Sequence, residues 1–199
     1  ADALLSIGQF VSTKGEFLMS KPSCAHKPKG YSRYMLLLYI IFTLAGLSAC
    51  QSKEVDLSFE TVEQRDASGT GQVYQDRQPG LIVITTPEEA ASLDALVTPE
   101  AQARLQSLDY DAYFASVVFQ GRKSTTGYGI AVERITRFEN KVTIRAQSLE
   151  PKPNAEKAPE ETSPYHVIQV QKSGTWGQPI SFDLIVDNVV VTSFSHYVP

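Results

Sequence analysis

Seven consecutive residues, Lys123-Ser124-Thr125-Thr126-Gly127-Tyr128-Gly129, concentrate the chemistry of molecular recognition. Ser124, Thr125 and Thr126 offer hydroxyls and favour tight turns. Gly127 and Gly129 permit positive φ and close backbone approach. Tyr128 offers a large contact surface at low entropic cost. A structural turn with Tyr128 packed in the core has the same composition, and both readings stand. His166 follows Pro164-Tyr165 at the start of an apolar run. It is either a general base or a half-buried histidine bonding a loop carbonyl. His196 reads as solvated. Trp176 lies between Gly174 and Gly177, as an exposed recognition aromatic or as turn packing. Three histidines and two cysteines leave too few ligands for a four-Cys zinc site or a His-based metal cage. No nucleophile elbow, phosphate loop or dinucleotide fingerprint is present. The acids of residues 150–161 lack EF-hand spacing and read as a solvated face. No catalytic residue, cofactor or metal is expected.

The elements that must hold these residues are mostly strands. Residues 58–64, 130–135 and 141–147 alternate apolar and polar side chains, as half-buried strands do. Residues 81–86, 115–120 and 165–171 are more continuously apolar. Residues 130–135 and 141–147 form a hairpin across residues 138–140. Residues 180–186 and 188–194 supply the last strands. Thr86-Pro87 with Glu89 opens a helix through an N-cap, a proline at N1 and a capping box, and Ala91, Leu93, Leu96 and Val97 supply its apolar face. Thr98-Pro99-Glu100 opens a second, ending near Ser107. Residues 150–164 hold four prolines and read as a long exposed loop. The expected fold is α+β and strand-rich: an antiparallel β-sheet or sandwich with two short helices near residues 87–107.

Residues 35–49 are the most apolar stretch, shorter than the roughly 20 residues a spanning helix needs. Lys27, Lys29 and Arg33 precede it, and Leu47-Ser48-Ala49-Cys50 closes it. A basic segment, a short apolar segment and small residues read as a secretory signal. The closing tetrapeptide resembles a bacterial lipobox, which implies a Cys50 diacylated at sulfur and exposed as the new N-terminus. The expected layout is a leader and signal over residues 1–49, a polar tether over 50–57 and one β-rich domain over 58–199. Met19 is the expected translation start. Removing residues 1–49 takes away Lys14, Lys21, Lys27, Lys29, Arg33, Asp2 and Glu16, which moves the net charge from −4 to −7. An acidic balance excludes non-specific nucleic-acid binding.

Asp109-Tyr110-Asp111-Ala112-Tyr113-Phe114, Val117-Val118-Phe119-Gln120-Gly121, Thr126-Gly127-Tyr128, a hairpin, a Pro-rich loop and Pro164-Tyr165-His166-Val167-Ile168 follow one order. That order resembles the C-terminal domain of PrcB-type protease-complex subunits over about residues 81–182. The family commonly has Thr-Gly-Gly-Tyr where this chain has Thr126-Gly127-Tyr128-Gly129. The resemblance implies an exported, often lipid-anchored domain that stabilises a secreted subtilisin-like protease complex, with no catalytic residues to carry over. Thr125-Thr126-Gly127-Tyr128 is also similar to the cleft-entering loop of chagasin-type cysteine-protease inhibitors, without the Asn-Pro that precedes it there.

The sequence thus leads to a non-enzymatic envelope lipoprotein that docks a protein partner, such as a peptidase, through residues 124–129. Peptidase inhibition, a purely structural envelope role and a hydrolase built on His166 are the alternatives. Gln51 after Cys50 favours the outer membrane, facing the periplasm, if the host has two membranes. Cys50→Ser is expected to block lipid attachment and processing in cells fed labelled palmitate. A Cys50→Ser chain that still carries label overturns the assignment.

Overall fold

Val, Ile, Thr and aromatic runs become strands because branched and flat side chains suit a pleated, packed surface. The computed structural model describes residues 53–66 and 74–199. Cys50 and the apolar segment before it lie outside the described residues. The strands are β1 (Val55–Asp56), β2 (Phe59–Arg65), β3 (Gly80–Ile84), β4 (Tyr113–Phe119), β5 (Gly129–Phe138), β6 (Lys141–Leu149), β7 (Tyr165–Gln171), β8 (Gln178–Val186) and β9 (Val189–Val198). The helices are α1 (Pro87–Ala91) and α2 (Pro99–Gln106), with a 3₁₀ turn at Asp94–Leu96 between them. The strand-rich α+β fold expected from the sequence is the fold observed.

The strands form two sheets, β1-β5-β6-β8-β9 and β2-β7-β4-β3. All pairings are antiparallel except β6 with β8. That pair is parallel because the chain leaves β6, crosses the Pro-rich loop, runs along β7 in the other sheet and returns. Parallel neighbours need such a long crossover.

Packing follows from which faces are apolar. Phe114, Val118, Ile168 and Val170 of the four-stranded sheet face Ile130, Ile144, Phe182 and Leu184 of the five-stranded one. The opposite face, with Ile84, Val117, Phe119 and Val167, is covered by Leu93, Val97, Ala101 and Leu105. The four-stranded sheet is therefore the middle of three layers. Buried on both faces, β4 and β7 have no solvent side, which explains their continuous apolar runs.

The first helix is shorter than its pattern suggested. Thr86 caps it by accepting from the Glu89 N–H at 3.2 Å. The Glu89 carboxylate reaches back one residue further than in a standard capping box, to Thr85 N at 2.6 Å. The Ser92 hydroxyl donates to Glu89 O at 2.7 Å, and Asp94 adopts φ 45°, so the helix stops at Ala91. The early stop leaves Ala91 exposed and makes Ala90 the buried residue. In α2, Thr98 caps through Ala101 N at 3.2 Å, as its sequence indicates.

Of residues 50–57, read as a tether, those described, 53–57, are partly structured. Val55 and Asp56 pair with Arg137 and Thr136 of β5, and Leu57 is buried in the inter-sheet core. Asp56 also accepts two bonds from Arg134, at 2.6 and 3.1 Å. A two-residue strand gives no period for a sequence to show. The hairpin turns are tighter than expected as well. Phe138 pairs with Lys141 across Glu139-Asn140, and Asp187-Asn188, with φ 51° and 67°, has the left-handed backbone of a type I′ turn. Leu57→Ala is expected to cost about 2–4 kcal/mol in urea unfolding. A tether would lose nothing, so an unchanged midpoint refutes the assignment of Leu57 to the core.

Candidate binding site

Residues 122–128 leave β4 and enter β5, and they do not project as an isolated tip. Lys123 and Thr162 exchange backbone bonds at 2.8 and 3.0 Å. Thr126 N donates to Ala158 O at 3.1 Å, and the Thr126 hydroxyl accepts from Ala158 N at 3.0 Å. The Thr162 hydroxyl donates to Thr125 O at 3.2 Å. The Ser/Thr-rich loop and the Pro-rich loop are thus zipped into one double-walled end of the domain. Of the loop's hydroxyls, that of Thr126 helps to hold this zipper.

Glycines set the approach. Gly127 has φ +95°, and a Cβ there would lie 2.9 Å from Pro151 Cβ. Gly129 needs no positive φ; it is the first residue of β5, opposite Leu149. Gly121, which closes the run of residues 117–121, carries φ +90° and leaves no room for a side chain beside the Arg77 carbonyl. Arg122 N donates to Asp76 O at 2.8 Å, so residues 76–78 form a third wall.

These walls enclose a cleft of about 330 Å³ lined by Arg77, Arg122, Lys123, Ser124, Tyr128 and Glu161. Tyr128 is half-buried, belongs to neither core cluster and stacks under Lys123 Nζ at 5.3 Å. Arg122 meets Glu161 at 3.7 Å. Ser124 and Tyr128 share this cleft with cations that the sequence scatters over 46 residues.

His166 is somewhere else. It points from β7 into the space between the sheets and is 3% exposed. Nδ1 accepts from Val132 N at 2.9 Å, which leaves Nε2–H to donate to the Thr61 hydroxyl at 2.8 Å. Val132 and Thr61 each precede a bulge, where Glu133 of β5 and Val62 of β2 are the unpaired residues. The ring thus serves backbone and side-chain groups at two ladder breaks. It takes a backbone N–H, where a bond to a loop carbonyl was expected. Both nitrogens are engaged, so no lone pair faces a reactant. Burial pushes its pKa down to about 4.

Trp176 packs half-buried on Phe114, with ring centroids 5.5 Å apart, and the Arg137 guanidinium lies 4.0 Å from its centroid. Arg137 donates to the carbonyls of Glu139, Ser173 and Thr175, fixing the turn that carries the indole. His196, expected in solvent, is half-buried and meets Glu89 at 3.2 Å and the Thr85 hydroxyl at 3.2 Å. Thr, His and Glu are the residue types of a nucleophilic triad. Here both contacts fall on Nε2, whereas a triad divides them between the two ring nitrogens. No three His, Cys, Asp or Glu side chains converge as a metal site among the described residues.

The family model described as PrcB C-terminal matches residues 115–171. The match spans β4, the Ser/Thr-rich loop, the β5–β6 hairpin, the Pro-rich loop and β7, and so includes five of the six cleft residues. No curated protein and no solved structure matches the chain.

Between pH 6.5, where an unfolded histidine titrates, and about 4, the unfolded chain binds the His166 proton and the folded one does not. Stability therefore falls as pH drops through that window, by about 3 kcal/mol from this residue. His166→Asn keeps an acceptor for Val132 N–H and cannot titrate. It should be less stable than wild type at pH 7 and lose less between pH 7 and pH 4. Parallel pH profiles in urea unfolding exclude a neutral buried His166.

Proposed function

We propose that this chain is a membrane-anchored envelope lipoprotein whose β-rich domain binds a protein partner belonging to a secreted protease complex. The observation that carries the reading is the double-walled loop end, where the Ser/Thr-rich and Pro-rich segments of the matched region lock together around a recessed cleft. Loops fixed by their own hydrogen bonds lose little entropy on docking, which favours a binding surface. The lipid on Cys50 would hold that surface at the membrane, and several acyl chains anchor a protein far better than one. The domain acts by docking and carries no chemistry of its own. His166 supports this reading, because both of its ring nitrogens are committed to the fold.

Tyr128 is the chosen probe, since it lines the cleft outside both core clusters. Tyr128→Ala should cost less than about 1 kcal/mol of stability. Its loss should weaken partner binding about tenfold or more, as truncating a central aromatic does. A mild-detergent pull-down with wild-type and Tyr128→Ala bait, read by mass spectrometry, is expected to recover a peptidase only with wild type. A longer active lifetime of that peptidase identifies a stabiliser, and slower turnover identifies an inhibitor. Identical partner lists for the two baits overturn the docking role, as does an unfolded Tyr128→Ala domain.

A further inference from the structure

We infer that the cleft beneath residues 123–128 is a carboxylate-recognition pocket, which takes an acidic side chain or chain terminus of an extended peptide segment. This rests on the protein-binding reading above and specifies its chemistry. Three cations, Arg77, Arg122 and Lys123, line a space of about 330 Å³ with a single acid, Glu161, in a chain of net charge −4. Like charges converge here although the chain as a whole is acidic. Among the described residues neither Arg77 nor Lys123 takes part in an ion pair. Lys123 instead rests over the Tyr128 ring at 5.3 Å, an arrangement that leaves the ammonium donors free.

The chain already shows which group the cleft accepts. The Glu161 carboxylate stands 3.7 Å from Arg122, too far for a good charge-assisted hydrogen bond, and its side chain is 61% exposed. A loosely held internal carboxylate marks the position that an incoming one would take or share. Planar guanidinium forks match carboxylates in pairs of parallel bonds. With Glu161 opposing them, the three cations leave a local balance near +2, suited to one or two single negative charges. Tyr128 and Ser124 then meet the peptide beside the charged group, so the same surface supplies contact area and polar contacts. The rigid zipper at Lys123 and Thr162 sets the distance between Arg122 and Glu161, since the two are the immediate neighbours of that bridge.

The test uses the full chain in detergent and four fluorescein-labelled octapeptides. Two alternate Gly with Asp and two alternate Gly with Asn, and each sequence is made with a free and with an amidated C-terminus. The amidated Asp peptide is expected to bind about tenfold more tightly than the amidated Asn peptide at low salt, and high salt should remove most of the difference. If the terminal carboxylate is the source, the free-ended Asn peptide gains instead. Arg77→Gln with Arg122→Gln should abolish the preference, and Glu161→Gln should tighten binding. Peptides that bind alike whatever their charge refute the pocket, as does a preference untouched by the double Arg variant. So does a double Arg variant that loses binding to vesicles of anionic lipid while its peptide binding is unchanged. A Tyr128-dependent peptidase partner indifferent to Arg77 and Arg122 removes this inference and leaves the docking reading. Carboxylate binding without a Tyr128-dependent partner does the reverse.

Discussion

The central strands of the four-stranded sheet, β4 and β7, are buried on both faces, and much of the structure answers to that constraint. Water cannot satisfy a polar group inside such a layer, and an unpaired one costs roughly 1–3 kcal/mol. The ladder breaks beside it, in β2 at the edge of the same sheet and in β5 of the facing sheet, are each met by a specific side chain. The bulge in β2 leaves the Val62 carbonyl unused in the ladder, and Arg104 of α2 donates to it at 3.0 Å. The bulge in β5 releases Val132 N–H, and His166 accepts it. Tyr165, wholly buried beside His166, donates to Glu63 at 2.8 Å, and Glu63 also accepts from the Thr98 cap at 3.0 Å. Burial, followed by the Glu63 contact, raises the Tyr165 pKa and keeps that hydroxyl protonated as a donor. Pro164-Tyr165-His166 is thus a three-layer junction: Tyr165 faces the helices and His166 faces the other sheet.

The same constraint shapes the loop end. Strand β7 must enter the middle of the sheet between β2 and β4, so the Pro-rich segment that feeds it runs beside the segment that leaves β4. Gln120 N donates to Pro164 O at 2.8 Å where the two meet, and the Lys123–Thr162 bridge continues the contact outward. The cleft is what remains between these walls and residues 76–78. Its rigidity comes from the core beneath it, which is the condition a binding surface needs to be formed before its partner arrives.

Arg137 shows the same logic on the far side of the molecule. Desolvation lowers its pKa, yet three backbone carbonyls and the Trp176 ring surround the guanidinium. It organises a turn, and Trp176 packs on the core because of it. Composition between two glycines could not distinguish that role from recognition, since the distinguishing partner lies 39 positions away in the chain.

Local chemistry determined much of this protein. Alternation and β-branched runs marked every long strand, the Thr-Pro pairs marked both helix starts, and Ser124 with Tyr128 marked one wall of the cleft. Those signals are legible because each depends on neighbours within one turn or one pleat. Tertiary structure decided the rest. It placed β1 in a sheet, made β6 and β8 parallel and buried His166 neutral between two bulges. It also brought Arg77 to Arg122 and Glu161. These outcomes depend on which distant segments a doubly covered sheet forces together. Burial and electrostatic pairing act across space, and no spacing along the chain records them.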